Sequence, residues 1–203
     1  MLFEAPITLS ITAATIIISI RAFSDNVLKG QFMFNPYFVT QKNEVHRLFS
    51  HGLIHADWMH LFFNMYVLYS FGSLLETSDF FLGSFGFLVI YVVALPLSCL
   101  PNLILQKDNI HYNALGASGA VSAILGSFIL FMPRAPLSLI FIPISIEAWI
   151  MGLLYMAYSF YMSIRKIDNI GHDAHLWGFL GGIVMTLVMK PETGPAFLAQ
   201  LGF

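Results

Sequence analysis

Four polar side chains in a strongly apolar sequence have the types that acyl-transfer chemistry uses. Ser118 lies in the stretch GASG, His175 lies in AHLWGFLGG, and His60 and Asn64 lie in HLFFN. Serine becomes a nucleophile when a base within hydrogen-bond reach takes its proton, and neutral imidazole is the usual base near neutral pH. The oxyanion that follows needs preorganised donors. These residues therefore predict a nucleophile at Ser118, a base at His175, and oxyanion donors at His60, Asn64 and the Ser118 backbone N–H.

The spacing of these residues predicts that helices present them. His60 and Asn64 are four residues apart, so both side chains project from one face of a helix. Ser118 lies near the start of an apolar run, where backbone N–H groups have no partner within the helix and the helix dipole favours negative charge. Both patterns place polar groups where a catalytic site would use them.

Small residues predict how the helices that carry Ser118 and His175 meet. Gly178 and Gly182 form a G-x-x-x-G face on the same side as His175, which allows close approach of a neighbouring helix. The helix of Ser118 has a matching face of small residues, namely Ser118, Gly119, Ser122, Ala123 and Gly126. Contact between the two faces would bring Ser118 and His175 together.

Composition predicts the environment of these helices. Hydrophobic residues make up 58% of the chain and charged residues 10%, whereas soluble domains have about 45–50% and about 25%. Because a membrane-spanning helix needs about 20 residues, the chain has room for some six spans and no separate soluble domain. We therefore expect an all-α, polytopic bundle that forms one membrane domain over residues 1–203. The spans are predicted near Ile7–Phe23, Trp58–Leu75, Phe80–Pro101, Leu115–Met132, Ala148–Ile164 and Ala174–Met189.

Two connections are too long to be simple turns. Residues 24–57 mix charged and aromatic residues and are too polar to span, which predicts a structured loop at the membrane interface. Residues 133–147, PRAPLSLIFIPISIE, are apolar but contain three prolines, which favours an interfacial connection over a seventh span.

Charge and cysteine content exclude several other classes. The formal net charge is -2 with no basic stripe, so no nucleic-acid partner is expected. The single cysteine, Cys99, excludes an internal disulfide and a Cys-x-x-Cys pair. We expect no cofactor and no metal, although His51 and His55, four residues apart, together with His60 leave a metalloprotease or metal transporter as an alternative.

Taken together, HLFFN, GASG and AHLWGFLGG are similar to motifs of the rhomboid family of intramembrane serine proteases. The resemblance extends to Arg47, His55 and Glu76, and it covers nearly the whole chain in the family's minimal six-helix form. It implies that Ser118 is the nucleophile, that His175 is the base, and that His60, Asn64 and Gly116 belong to the oxyanion and substrate-binding region. It also implies a transmembrane substrate cut near its helix end after a small side chain, and a location in a bacterial inner membrane.

The chain differs from the family pattern at two positions. His46 precedes Arg47 where many bacterial members have Trp, and Ser122 stands four residues after the nucleophile where many members have an aromatic residue. The second difference predicts that His175 is held either less firmly or by other groups. No third carboxylate is evident, because Asp173 reads as a loop or cap residue. A Ser–His dyad is therefore expected.

Two questions stay open at the level of the sequence. The resemblance places the N-terminus in the cytoplasm, whereas the positive-inside rule favours the reverse, and we favour the family orientation. A catalytically silent relative that only binds membrane helices is the alternative function, although this chain keeps both serine and histidine. The sequence predicts neither the natural substrate nor the oligomeric state.

Overall fold

The fold is known from a computed structural model that describes residues 5–77, 81–139, 142–165 and 171–203. Most of the described chain is helical. The longer helices are α1 (Pro6–Ser24), α5 (Trp58–Val67), α7 (Gly83–Leu105), α8 (Ser118–Phe131), α9 (Ala148–Arg165), α10 (His172–Met189) and α11 (Thr193–Leu201). Within these ranges, α1 and α7 are long and apolar enough to cross a membrane, and α8 is a shorter apolar helix.

Most predicted spans coincide with helices to within a few residues. The second predicted span corresponds to α5, a π-helical turn at Leu68–Gly72 and α6 (Ser73–Glu76), which follow one another without a break. The predicted start of the third span at Phe80 lies outside the described residues, and α7 begins at Gly83. α10 begins at His172, so Asp173 is part of the first helical turn instead of the predicted loop or cap. A carboxylate there is favourable because the helix dipole is positive at its N-terminus.

Glu76 fastens the start of α1 to the end of α6. Its buried carboxylate accepts hydrogen bonds from the Ile7 N–H at 2.8 Å and from the Thr8 N–H and hydroxyl at 2.7 Å each. The first N–H groups of a helix have no partner within the helix, so this carboxylate supplies one. The match of Glu76 to the family pattern thus corresponds to a helix-capping contact.

The connection between α1 and α5 is folded, as predicted. It contains α2 (Asn26–Phe32), α3 (Pro36–Lys42), α4 (Arg47–Ser50) and a 3₁₀ turn at His51–Leu53. The buried Arg47 guanidinium donates to Glu44 Oε2 at 2.6 Å and to the carbonyls of Gly30 and Met33 at 2.7 and 2.8 Å. Arg47 therefore ties this connection together.

α8 lies at the centre of the molecule, and its small face packs against α10. A Cβ atom added at Gly178 would strike the Gly119 carbonyl oxygen, and one added at Gly182 would strike the Ala123 carbonyl oxygen. On the α8 side, a Cβ at Gly126 would lie 2.6 Å from the Phe179 carbonyl oxygen. The predicted contact between the two small faces is confirmed, and backbone meets backbone along it.

Hydroxyl groups reinforce this contact further from Ser118. Ser127 donates to the Ala123 carbonyl at 2.9 Å, and Thr186 donates to the Ser127 hydroxyl at 2.8 Å. Both side chains are fully buried, so the hydrogen bonds satisfy polar groups that would otherwise be costly. We call this α8–α10 contact, with its glycines and hydroxyls, the seam.

A β-hairpin connects α8 to α9, which the prediction of an all-α fold did not include. Strands β1 (Pro136–Leu139) and β2 (Ile142–Glu147) pair antiparallel, with Ser138 opposite Ser145 and their hydroxyl oxygens 2.8 Å apart. In a two-stranded hairpin each strand keeps one unpaired edge, and proline is tolerated there because it has no N–H to donate. The prolines that argued against a span are therefore compatible with strands.

Candidate active site

The turn in front of α8 places Ser118 at the first position of that helix. Gly116 has a φ of +116°, a conformation that side-chain-bearing residues rarely adopt. A Cβ atom at this position would also lie 2.6 Å from Cε1 of His60. Glycine is thus required at position 116 both by its backbone conformation and by the close approach of the His60 ring.

His51 forms hydrogen bonds with both backbone groups of Gly116, the N–H and the carbonyl. The Gly116 N–H donates to the His51 carbonyl at 2.9 Å, and His51 Nδ1 lies 3.3 Å from the Gly116 carbonyl oxygen. His51 Nε2 lies 3.4 Å from the Cys99 sulfur, so the thiol donates to the ring and the ring proton resides on Nδ1. Burial lowers the pKa of His51 to about 4, which keeps the ring neutral.

His55 holds the next residue of the turn. Its Nε2 accepts the Ala117 N–H at 3.3 Å, which leaves the ring proton on Nδ1 to donate to the Ser19 hydroxyl at 3.0 Å. Ser19 in turn donates to the Leu53 carbonyl at 3.0 Å. Burial lowers the pKa of His55 to about 3, and the neighbouring His60 lowers it further. The chain of hydrogen bonds fixes one neutral tautomer and connects the turn to α1.

The structure brings three of the predicted site residues to one cavity. Asn64, Ser118 and His175 all border a cavity of about 180 Å³ whose walls are otherwise mainly apolar. Asn64 uses one amide proton on the His60 carbonyl at 2.8 Å, and its second amide proton remains for another acceptor. The residues predicted as nucleophile, base and one oxyanion donor come from three different helices and border one cavity.

His60 and Gly116, the other two predicted site residues, are outside the lining of this cavity as the structure describes it. His60 lies next to the turn instead, with its ring edge-on to His55 at a centroid distance of 4.9 Å. The Ala56 N–H points to His60 Nδ1 at 3.5 Å, which leaves the proton on Nε2. His60 retains a donor, and its ring forms the wall against which Gly116 packs.

Two aromatic rings lie against His175. Tyr155 of α9 stacks on it with a centroid distance of 6.2 Å and an interplanar angle of 20°. His172, one turn earlier on α10, lies edge-on at 5.5 Å. Reasoning from the sequence did not find Tyr155. The available signal was its position three residues after Gly152, a small residue that faces the bundle.

The histidines that left a metal site open at the level of the sequence have protein partners. Both ring nitrogens of His51 and both of His55 are within hydrogen-bond distance of groups on the turn, on Cys99 or on Ser19. Across the part of the chain that the structure describes, no group of three or more His, Cys, Asp or Glu side chains is arranged to hold a metal ion. The histidines of this region act on the turn before Ser118.

Comparisons with known proteins agree with this arrangement. A family model described as Rhomboid domain matches residues 42–192. Rhomboid protease GlpG of Haemophilus influenzae is 28% identical over 184 residues, which cover 89% of this chain and 89% of that protein. Rhomboid protein 1, mitochondrial, of Saccharomyces cerevisiae is 32% identical over 133 residues, or 64% of this chain.

A plant protein is also similar over a long range. Rhomboid-like protein 14, mitochondrial, of Arabidopsis thaliana is 28% identical over 218 aligned positions and 98% of this chain. The chain spans 38% of the yeast relative and 61% of the plant relative. The bacterial relative is matched along most of its length, whereas the organellar ones extend well beyond the match.

Proposed function

The chain belongs to the rhomboid family, whose members are membrane-embedded, and we propose that it is an intramembrane serine endopeptidase with a Ser118–His175 dyad. The observation that carries the proposal is the shared cavity, which Ser118, His175 and Asn64 all border. The rigid seam supports it, because backbone contact between α8 and α10 fixes the two helices that present nucleophile and base. No carboxylate partner is needed for the neutral imidazole to act as base.

The reaction follows from the roles of these groups. His175 takes the Ser118 proton as the serine oxygen attacks the peptide carbonyl, and the resulting oxyanion accepts hydrogen bonds from Asn64, His60 and the Ser118 N–H. His175 then gives its proton to the leaving amine, and an acyl-enzyme remains. Water repeats the sequence: His175 accepts its proton, the ester is cleaved, and Ser118 recovers its hydrogen.

The substrates that we propose are transmembrane segments of single-pass membrane proteins. An apolar cavity among apolar helices suits a peptide that arrives from the bilayer, and its small volume of about 180 Å³ suits a small side chain next to the cleaved bond. We propose a six-span bundle that forms one membrane domain over residues 1–203, with the turn before Ser118 near one face of the membrane. A bacterial inner membrane is the proposed location, supported by the long match to the bacterial relative.

Reaction of the purified protein with a fluorophosphonate probe tests the proposal directly. Wild-type protein should be labelled, and Ser118→Ala and His175→Ala should each abolish labelling and cleavage of a model transmembrane substrate while the melting temperature changes little. Ser10→Ala is the matched control, because the exposed Ser10 hydroxyl bonds only its own helix. Labelling of Ser118→Ala at the wild-type rate would refute the mechanism. An unlabelled wild type that still binds the substrate would instead assign the chain to silent helix-binding relatives.

A further inference from the structure

We propose that Tyr155 is a positioning residue for His175, held by a hydrogen-bond chain that ends on the residue of the nucleophile. The proposal rests on the proposed function and deepens it, because it names the group that orients the base. Ser122 stands one helical turn after Ser118, so α8 itself offers no ring to His175 at that position. The ring comes from α9 instead.

The Tyr155 ring lies over the face of the imidazole. A centroid distance of 6.2 Å with planes 20° apart is within the range of offset-stacked pairs. Phe179, on the same helix as His175, packs against the Tyr155 ring from another direction, with a centroid distance of 5.8 Å. Stacking on one face restricts rotation of the imidazole about its outer side-chain bond, which sets the direction in which its nitrogens point.

Hydrogen bonds fix the Tyr155 ring and have a defined direction. The Ser122 hydroxyl donates its only proton to the Ser118 carbonyl at 2.6 Å. The Tyr155 hydroxyl lies 2.6 Å from the same Ser122 oxygen and must therefore be the donor in that contact. The chain runs from Tyr155 to Ser122 to Ser118, so one tyrosine contacts the base with its ring and the nucleophile's backbone through its hydroxyl.

This arrangement makes the base depend on the position of α9. Only Ala148, Gly152 and Ser159 of its eighteen residues are buried, and long apolar side chains along it are exposed. Displacement of α9 would move the Tyr155 ring relative to His175. Since misplacement of catalytic groups by about 1 Å can cost about a hundredfold in rate, seating of α9 becomes a condition for activity.

Two substitutions at Tyr155 separate the ring from the hydroxyl. Tyr155→Leu removes both and should lower kcat about tenfold to a hundredfold with little change in KM. Fluorophosphonate labelling should slow by the same factor, since this small probe needs the dyad but no docked helix. Tyr155→Phe keeps the ring and should retain labelling within about threefold of wild type. Tyr161→Leu is the matched control, because Tyr161 is an exposed tyrosine on the same helix.

A double-mutant cycle tests the hydrogen bond by itself. Ser122→Ala and Tyr155→Phe both remove the contact between the two hydroxyls, and Ser122→Ala also removes the hydrogen bond to the Ser118 carbonyl. The double variant should therefore label no more slowly than Ser122→Ala alone. Additive losses would show that the two hydroxyls act independently and would overturn the hydrogen-bond chain.

The outcomes also distinguish this inference from the proposed function. Wild-type labelling that depends on Ser118, together with labelling of Tyr155→Leu at the wild-type rate, overturns the positioning role alone. Equal losses in Tyr155→Leu and Tyr161→Leu overturn it as well, because they would reflect damage to the whole of α9. Absence of Ser118-dependent labelling in wild type would overturn the proposed function itself. Slow labelling confined to Tyr155→Leu, with an unchanged melting temperature, supports the role.

Discussion

Two of the contacts that α10 makes, with α8 and with α9, differ in the kind of atom that lies across the contact. Along the seam, added Cβ atoms at Gly178 and Gly182 would strike backbone carbonyl oxygens of α8. On α9, an added Cβ at Gly152 would meet Cζ of Phe179 of α10 at 3.2 Å and Cδ1 of Ile129 of α8 at 2.9 Å, which are both ends of side chains. Backbone cannot move without its helix, whereas a side-chain end can turn.

This difference separates two parts of the proposed dyad. The nucleophile and the base are carried by helices whose distance is fixed by backbone contact, so their separation is set by the fold. The ring that orients the base is carried by a helix held mainly through side chains. The seam therefore fixes the distance between the two groups of the proposed dyad, whereas the orientation of the His175 ring can change with the position of α9.

The largest effect is expected from breaking the seam. Gly178→Leu should abolish cleavage and lower the melting temperature, since overpacking costs about 1–3 kcal/mol and the side chain would separate α8 from α10. Gly30→Ala is the matched control, because nothing lies within 4 Å of a Cβ there. Thermal melts and probe labelling of both variants check the prediction. Wild-type labelling and melting of Gly178→Leu would show that the helices do not need this contact.

The next largest effect is expected from Asn64, whose helix, α5, is not part of the seam. Asn64→Ala should lower kcat by about 10²–10³ with little change in KM, because the lost hydrogen bond acts on the transition state. The melting temperature should hardly change, since hydrogen bonds between membrane helices average about 0.6 kcal/mol and the described Asn64 contact lies within its own helix. Kinetics on a transmembrane peptide test this. Full activity with a large drop in melting temperature would assign Asn64 to structure.

A smaller loss of stability is expected at acid pH, through the histidines that hold the turn before Ser118. The pKa values of His51 and His55 fall to about 4 and about 3 in the folded protein, below the ordinary 6.5. Above pH 6.5 both states are neutral, and as the pH falls below it only the unfolded chain takes up these protons. Stability should therefore decrease from about pH 6.5 toward pH 4, measured as melting temperature against pH.

A variant of an exposed histidine provides the control for that measurement. His111→Gln is this control, because the His111 side chain is exposed and lies outside the turn before Ser118. His51→Asn, which retains a donor for the Gly116 carbonyl, should make the decrease between pH 6.5 and pH 5 less steep, because only the contribution of His55 remains. A wild-type melting temperature that stays constant over that range would contradict the neutral, buried state of both rings.

The smallest effect is expected at the contact of α9. Gly152→Ala should lower the melting temperature only slightly, because the ends of Ile129 and Phe179 can turn aside. Gly178→Ala, the same change at the seam, should lower it clearly more, because the Gly119 carbonyl cannot move alone. Parallel melts of the two variants compare the regions directly. Equal losses would mean that α9 is held as rigidly as the seam.

The sequence predicted the parts of the molecule that follow from periodicity and small residues. Helix positions and the contact of Gly178 and Gly182 with α8 depend on spacing along one helix, which a sequence displays. Tyr155 was not predicted, because its contact with His175 depends on the direction of a side chain from a third helix. The hairpin was not predicted, because the prolines in this apolar stretch argue only against a membrane-spanning helix. They do not exclude strands, since an isolated pair of strands tolerates proline.

The candidate site was predicted as a set of residues and not as a set of contacts. Ser118, His175 and Asn64 were expected together, and they border one cavity. The actions of His51 and His55 on Gly116 and Ala117 depend on hydrogen bonds across about 60 residues of sequence. No local pattern encodes such contacts, so histidines that suggested a metal are found holding a turn.

The attachment of Glu76 to the start of α1 has a consequence for the order of assembly. The Glu76 carboxylate accepts a hydrogen bond from the Thr8 N–H, which lies 68 residues earlier in the chain. At synthesis rates of about 5–20 residues per second, α1 leaves the ribosome roughly 3–14 s before its capping partner exists. During that interval the first N–H groups of α1 must bond water or headgroups, which keeps this end of the helix near the membrane surface. The capping of α1 is thus completed only when the end of α6 has been made.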